Sequence, residues 1–194
     1  LGCGKNKREG AIGVDIAHRP GVDVVWDLDV YPYPFEQDSF ELIILNHAIE
    51  HIADPAKTLE EIHRIGLPRC RVEIVTPHFT SLNTYADILH RRTFSMHSFD
   101  DYCGRVSCYL EPQNRFSMVN RKLYFWPLFD KWNIIPYRLL GIQALANAFP
   151  TFYERFLCFI FPAMEIHFVL EVLKPAKSGD KAGGSEERGA SSLD

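Results

Sequence analysis

Short apolar, strand-like runs alternate with loops and one amphipathic helix in the first half of the chain, which predicts an α/β fold with a mainly parallel, Rossmann-like sheet. Three stretches carry that expectation. Phe40-Glu-Leu-Ile-Ile-Leu45 is nearly continuous in apolar residues, as in a strand covered on both faces. Asp54-Pro55 is a helix start, with a capping carboxylate and proline at the first helical position. Arg71-Val-Glu-Ile-Val-Thr76 alternates and is ended by Pro77.

The remaining elements follow in order. Ala11–Asp15 and Val22–Trp26 read as two earlier strands, each close to an acidic residue at its end. The helix after Asp54 places Ala56, Leu59, Ile62 and Ile65 on one face, and Glu60 and Arg64 are spaced for an i,i+4 pair on another. From Phe79 to Tyr102, histidine, arginine, serine, threonine and aromatics suit a functional insertion better than a core element. Val106 to Phe125 reads as a strand pair, Trp126 to Phe161 as short helical patches, and Glu165 to Leu173 as a last strand. A single domain over 1–173, with substrate-covering insertions within 79–163, and a disordered tail over 174–194 are therefore expected.

Composition narrows the function. The 194 residues can close a hydrophobic core without disulfides or metal. Twenty-one basic against 25 acidic side chains, a formal charge of −4, offer no general attraction for nucleic acid. Five cysteines without a C-x-x-C pair indicate neither a disulfide framework nor a zinc knuckle, and fit a reducing cytoplasm. The longest uncharged run, Leu139 to Tyr153, is broken by Gln143, Asn147 and Pro150 and falls short of the ~20 apolar residues of a membrane span.

Four pieces then occur in order: Leu1-Gly2-Cys3-Gly4, Gly13-Val14-Asp15-Ile16, Asp27-Leu28-Asp29, and Phe40 to His51. Each lies at or before the carboxyl end of a strand, where an open α/β sheet binds nucleotide-type ligands. The glycines let backbone approach a ligand closely. Asp15 is placed to accept both hydroxyls of a ribose, and Asp27 to accept from an exocyclic amine such as that of adenine. Alone, either aspartate could be an ordinary loop carboxylate; their order after a glycine turn favours the site.

With Tyr-Pro-Phe at 33–35, Ser-Phe-Glu-Leu-Ile at 39–43 and Asn-His-Ala-Ile-Glu-His at 46–51, these pieces resemble the class I S-adenosylmethionine-dependent methyltransferases from Leu1 to about Pro77. The resemblance implies that Gly2, Cys3 and Gly4 line the methionyl part of the cofactor and that Asp15 holds the ribose, with Ile16 also at the cofactor. Asp27 and Leu28 would meet the adenine, and Asn46 and His47 would lie near the sulfonium. Pro77-His78-Phe79-Thr80-Ser81, with Asp87, His90 and Arg91-Arg92-Thr93-Phe94, looks like a bacterial subgroup whose acceptor is not defined.

Three features depart from that family. Gly4 and Asp15 are too close for the usual first crossover helix, which must be missing or reduced to a turn. A ligand without phosphates tolerates this, because it needs no helix N-terminus as an anion site; a dinucleotide would not. Lys5-Asn6 stands where a third glycine is usual, and Gly66-Leu67-Pro68-Arg69 replaces a Lys-Pro-Gly-Gly turn. The chain also opens on a glycine turn of the kind that follows a strand. The expectation is a truncated form lacking a central first strand, with neighbouring backbone groups unpaired at about 1–3 kcal/mol each and weak cofactor binding.

Methyl transfer from a sulfonium is an in-line displacement, so the protein positions the acceptor and removes its proton. His78 is the first candidate base, His47 the second and His90, with Asp87 on the same presumed helical face, the third. Arg91 and Arg92 could clamp an anionic acceptor, with Asp87 also at the substrate. The acceptor class is a small molecule, a glycan or a lipid-linked compound, methylated on oxygen, with no metal required. The aromatic stretch from Tyr124 to Phe161 reads first as core and lid packing, then as an acceptor pocket. Its third reading is weak membrane-surface contact through Trp126, Trp132, Phe156 and Phe159 beside Lys131, Arg138 and Arg155, cut short by Pro136, Pro150 and Pro162.

Two alternatives stand beside this reading. One is a protein that binds S-adenosylmethionine without transferring the methyl. The other is a zinc hydrolase built on His47-x-x-Glu50-His51, a motif that requires a helix where a strand end is expected.

Overall fold

A computed structural model describes residues 1–105, 113–125 and 141–174. Its centre is the parallel pair of β3 (Phe40–Asn46) and β4 (Gly66–Pro77), joined through α1 (Pro55–Ile65). Helix α1 starts as its sequence dictates: the Asp54 carboxylate accepts from the Lys57 backbone N–H at 3.2 Å, and proline fills the first helical position. Leu59, Ile62 and Ile65 face the sheet and are buried, but Ala56 is exposed and Thr58 takes the buried place. Thr58 is admitted because its hydroxyl meets the Tyr31 and Tyr33 phenols at 2.9 and 3.2 Å. Arg64 pairs with Glu61 rather than Glu60, at 2.7 Å, while Glu60 reaches Arg115 at 3.6 Å.

The predicted parallel core is present in the β3–β4 pair, and the four-stranded sheet is completed by antiparallel strands. β6 (Glu165–Val172) lies between β4 and β5 (Phe116–Tyr124) and runs antiparallel to both, giving the order β3-β4-β6-β5. Ile166, Phe168, Leu170 and Val172 alternate into the core, opposite Val72 and Ile74 of β4 and beside Ile43 and Leu45 of β3. Burying each such side chain contributes about 1.5–3 kcal/mol. β3 is covered less evenly than a doubly buried strand: Leu42 and Ile44 are only half-buried, on the face where Arg71 bonds Glu73 of β4 at 2.6 Å.

β1 (Val14–Asp15) and β2 (Val24–Val25) form a separate parallel pair of two residues each, shorter than the apolar runs that contain them. The Asp23 carboxylate ends that ladder by accepting the Gly13 N–H at 2.6 Å. Leu1 to Cys3 lie between the two sheets, where the Leu1 nitrogen donates to the Ile44 carbonyl at 2.8 Å and the Cys3 N–H to that of Val14 at 3.0 Å. No helix separates Gly4 from Val14, as the short spacing required.

Past β4, α2 (Leu82–Ala86) is capped by the Ser81 hydroxyl, which accepts from the Asn83 N–H at 3.2 Å. Asp87 and His90 follow this helix instead of sharing one of its faces. α3 (Ile142–Ala148) and α4 (Pro150–Phe152) lead into a π-turn at Tyr153–Leu157. Lys174, at the expected start of the tail, is anchored: its ammonium donates to the Asp38 carboxylate at 2.7 Å and to the carbonyls of Arg64 and Gly66. The rest of the expected tail, residues 106–112 of the expected strand pair, and Trp126, Lys131, Trp132, Pro136 and Arg138 lie outside the described residues.

One network ties α1 to the loop ahead of β3. The Glu61 carboxylate accepts the Tyr33 N–H at 2.7 Å and holds Arg64, whose guanidinium donates to the carbonyls of Tyr33 and Phe35; the Tyr33 phenol donates to the Leu28 carbonyl at 3.0 Å. Glu61→Ala leaves a part-buried N–H and a guanidinium without their partner. It is expected to lower the unfolding free energy by about 1–3 kcal/mol in urea denaturation; a loss within experimental error would show the network to be dispensable.

Candidate active site

A cavity of about 580 Å³ opens where β1, β2 and β3 end. Its walls come from the first turn (Gly2, Gly4), the exit of β1 (Asp15, Ile16), the segment after β2 (Trp26, Asp27, Leu28, Asp29), the exit of β3 (His47, Ala48, His51, Ile52) and the loop after α2 (Ile88, Leu89, Arg91). This is the crevice at the carboxyl ends of strands in which open α/β sheets hold ligands.

The glycine turn is shaped by close approach. Gly2 has φ +61°, and a Cβ there would stand 2.6 Å from the Ala48 Cβ. The Gly4 N–H donates to one Asp15 oxygen at 2.8 Å and the Ala17 N–H to the other at 3.1 Å, so the carboxylate is held at the cavity wall. Each oxygen keeps a lone pair for a further donor. Gly13 is required just before Asp15, because a Cβ would come within 2.5 Å of the Gly21 carbonyl oxygen. Cys3 turns away from the cavity toward Gly13, and so does not line it.

Asp27 accepts the Asp29 N–H at 2.9 Å; Asp29 accepts the Ala53 N–H at 2.8 Å and the Arg91 guanidinium at 3.2 Å. Arg91 is thereby drawn to the cavity, whereas Arg92 donates to the Ala53 carbonyl at 2.5 Å and is absent from the lining. Asn46 ends β3, exposed and outside the lining.

His47, at φ +49°, is held between two carboxylates: its Nδ1 lies 3.1 Å from Glu50 and its Nε2 3.3 Å from Glu165. Hydrogen bonds to Glu165 and Glu50 push its pKa up to about 9, and those from His167 and His47 pull Glu165 down to about 2. At neutral pH, His47 is an imidazolium with both N–H groups committed. It has no lone pair with which to take a proton or bind zinc. Glu50 is buried and also accepts from the Thr76 hydroxyl at 3.1 Å.

His78 lies elsewhere. Its bridge to Phe94 and its N–H bond to the Met164 carbonyl turn it into the core, where Nδ1 meets the Thr80 hydroxyl at 2.7 Å and Nε2 meets Glu154 at 3.2 Å. It is fully buried and does not reach the cavity. His90 borders the site through His51, their ring centroids 4.7 Å apart, with Asp87 at 3.9 Å. Sequence reasoning missed Trp26, Ile52, Ile88 and Leu89 as lining residues and Glu165 as the partner of His47. Asp29, Ala48 and His51, which also line it, sat in motifs quoted for the resemblance.

A methyltransferase-domain family model matches residues 11–72. Among solved structures, a SAM-dependent methyltransferase from Archaeoglobus fulgidus superposes with a TM-score of 0.51 at 17% identity, over 82% of this chain and 75% of that one. A protein of Bacillus halodurans described as a methyltransferase gives 0.50 at 14% identity, over 80% and 74%. No curated protein matches the chain in sequence. The fold is that of these methyltransferases, and the stretch matched by the domain model carries the same likeness, which implies S-adenosylmethionine as cofactor. The residues present fit that cofactor: Gly2 leaves open a cradle that a Cβ would fill, and Asp15 is an oriented acceptor for a diol.

Gly2→Ala is expected to weaken S-adenosylhomocysteine binding at least about tenfold by calorimetry, since both φ and the Ala48 contact oppose a side chain; unchanged affinity would remove Gly2 from the cradle. The His47 cluster sets a pH dependence. A histidine whose folded pKa is raised from 6.5 to about 9 stabilises the fold fully below pH 6.5 and loses that contribution as pH rises through 9. Glu165, lowered from 4.5 to about 2, contributes above pH 4.5 and loses it as pH falls through 2. Melting temperature should therefore fall between pH 6.5 and 9 more in the parent than in His47→Gln; parallel curves would contradict the cluster.

Proposed function

We propose that the protein transfers a methyl group from S-adenosylmethionine to a hydroxyl oxygen of a small-molecule, glycan or lipid-linked acceptor in the cytoplasm. The observation that carries this reading is the convergence of Gly2, Gly4, Asp15, Asp27 and Leu28 on one cavity, with Asp15 held by two backbone N–H groups. When bound, the cofactor supplies a methyl carbon already attached to its leaving group. Asp15 accepts from the ribose hydroxyls, Ile16 and Leu28 cover apolar faces of the nucleoside, and Asp27 accepts from the adenine amine.

The acceptor enters past Ile88, Leu89 and Arg91, beside the paired rings of His51 and His90. Arg91 presents a cation to an anionic acceptor. Exposed Phe149, Phe152, Phe156, Phe159 and Ile160, next to Arg155, favour the lipid-linked class and a weak surface contact with membrane. Among the described residues no helix is long and apolar enough to cross a membrane.

Calorimetry with S-adenosylhomocysteine tests the site. Asp15→Ala is expected to cost about 1.5–3 kcal/mol of binding, as for hydrogen bonds to a charged group, and unchanged affinity would refute the ribose assignment. Cofactor binding without turnover across alcohols, glycans and lipid-linked sugars would favour the non-catalytic alternative.

A further inference from the structure

We propose that Glu50, His51 and His90 form a binding site for a divalent transition-metal ion of the zinc class in the wall of the cavity. One ligand atom from each of the three lies within 4.8 Å of the others. They come from separate parts of the chain: Glu50 and His51 from the turn after β3, His90 from the loop after α2. Neutral imidazole and carboxylate are the donor set such ions prefer.

The orientation of the histidines is the second observation. His51 Nδ1 lies 3.4 Å from the Leu89 carbonyl oxygen, and His90 Nδ1 lies 3.2 Å from that of Thr84. A carbonyl can only accept, so these contacts favour the tautomer with the proton on Nδ1, which turns Nε2 of each ring toward a ligand; Asp87 Oδ2 also lies 3.9 Å from His90 Nε2. Metal-binding histidines are held in this way, with the other ring nitrogen donating to a backbone carbonyl. The third ligand is a buried carboxylate whose oxygens each accept one hydrogen bond, from His47 and from Thr76, and keep further lone pairs.

The two segments are already joined. The N–H groups of Arg91 and Arg92 both donate to the Glu50 carbonyl, at 2.8 and 3.2 Å. Ligands around zinc at bond lengths of about 2.1 Å stand about 3.4 Å apart, so binding draws the loop that carries His90 inward. That loop supplies Ile88, Leu89 and Arg91 to the cavity, and the ion therefore orders the acceptor side of the site. Its role in methyl transfer rests on the function proposed above; its binding does not.

This arrangement differs from the His47-x-x-Glu50-His51 alternative, because His47 is committed to Glu50 and Glu165 and His90 replaces it. The full chain, stripped with chelator, is titrated with zinc by calorimetry and with cobalt(II) by visible ligand-field absorption. We expect one ion per chain, and at least a tenfold loss of affinity, with loss of the cobalt bands, in His51→Ala and in His90→Ala. His18→Ala, exposed and outside the site, should bind as the parent does. Thermal melts verify folding, and His90→Gln replaces His90→Ala if the latter unfolds. The proposal is overturned by no stoichiometric binding, by binding indifferent to both substitutions, or by loss in His47→Ala with retention in His90→Ala. S-adenosylhomocysteine affinity on the same sample reads the methyltransferase function separately, so a failed metal titration with intact cofactor binding counts against the ion alone.

Discussion

A buried carboxylate organises the site. Glu50 is fully removed from water, and a carboxylate there is tolerable only if its oxygens are satisfied. Its side chain binds His47 at the exit of β3 and Thr76 near the end of β4, while its carbonyl receives the two N–H groups of the loop that carries Arg91 and Arg92. Three segments with no local reason to meet are thus held around one residue. The positive φ of His47 belongs to the same arrangement, since it turns the ring to bridge Glu50 and Glu165.

The cofactor side rests on simpler physics. Two-residue strands β1 and β2 gain little from their ladder, and their register is set instead by the Asp23 carboxylate bonding back to Gly13. Asp15 then emerges at a defined point and is fixed by Gly4 and Ala17. With no crossover helix between Gly4 and Val14, the turn carries that geometry by glycine conformations and close approach alone. A dinucleotide phosphate would need a helix N-terminus here; a ligand bound through a diol and an adenine does not.

The likeness to solved methyltransferases is one of architecture, at 14–17% identity for the two structures described. Architecture locates the crevice but leaves the acceptor to side chains supplied by the region after β4. In this chain that region contributes Ile88, Leu89 and Arg91 to the cavity wall, and His90 packs against His51 beside them.

The sequence by itself determined what depends on near neighbours: the strand of β3, the start of α1 at Asp54-Pro55, the missing crossover, and Gly2, Gly4, Asp15, Ile16, Asp27 and Leu28 as cavity residues. Glycine conformation, capping and strand-end placement are local, so they can be read along the chain. Tertiary structure alone decided that His78 turns into the core against Glu154, and that His47 is clamped as an imidazolium by a residue more than a hundred positions away. It also decided that β6 makes the sheet mixed and that His90 meets His51. Proton affinity and side-chain direction are set by what lies across the fold, and the order of residues along the chain does not contain those distances.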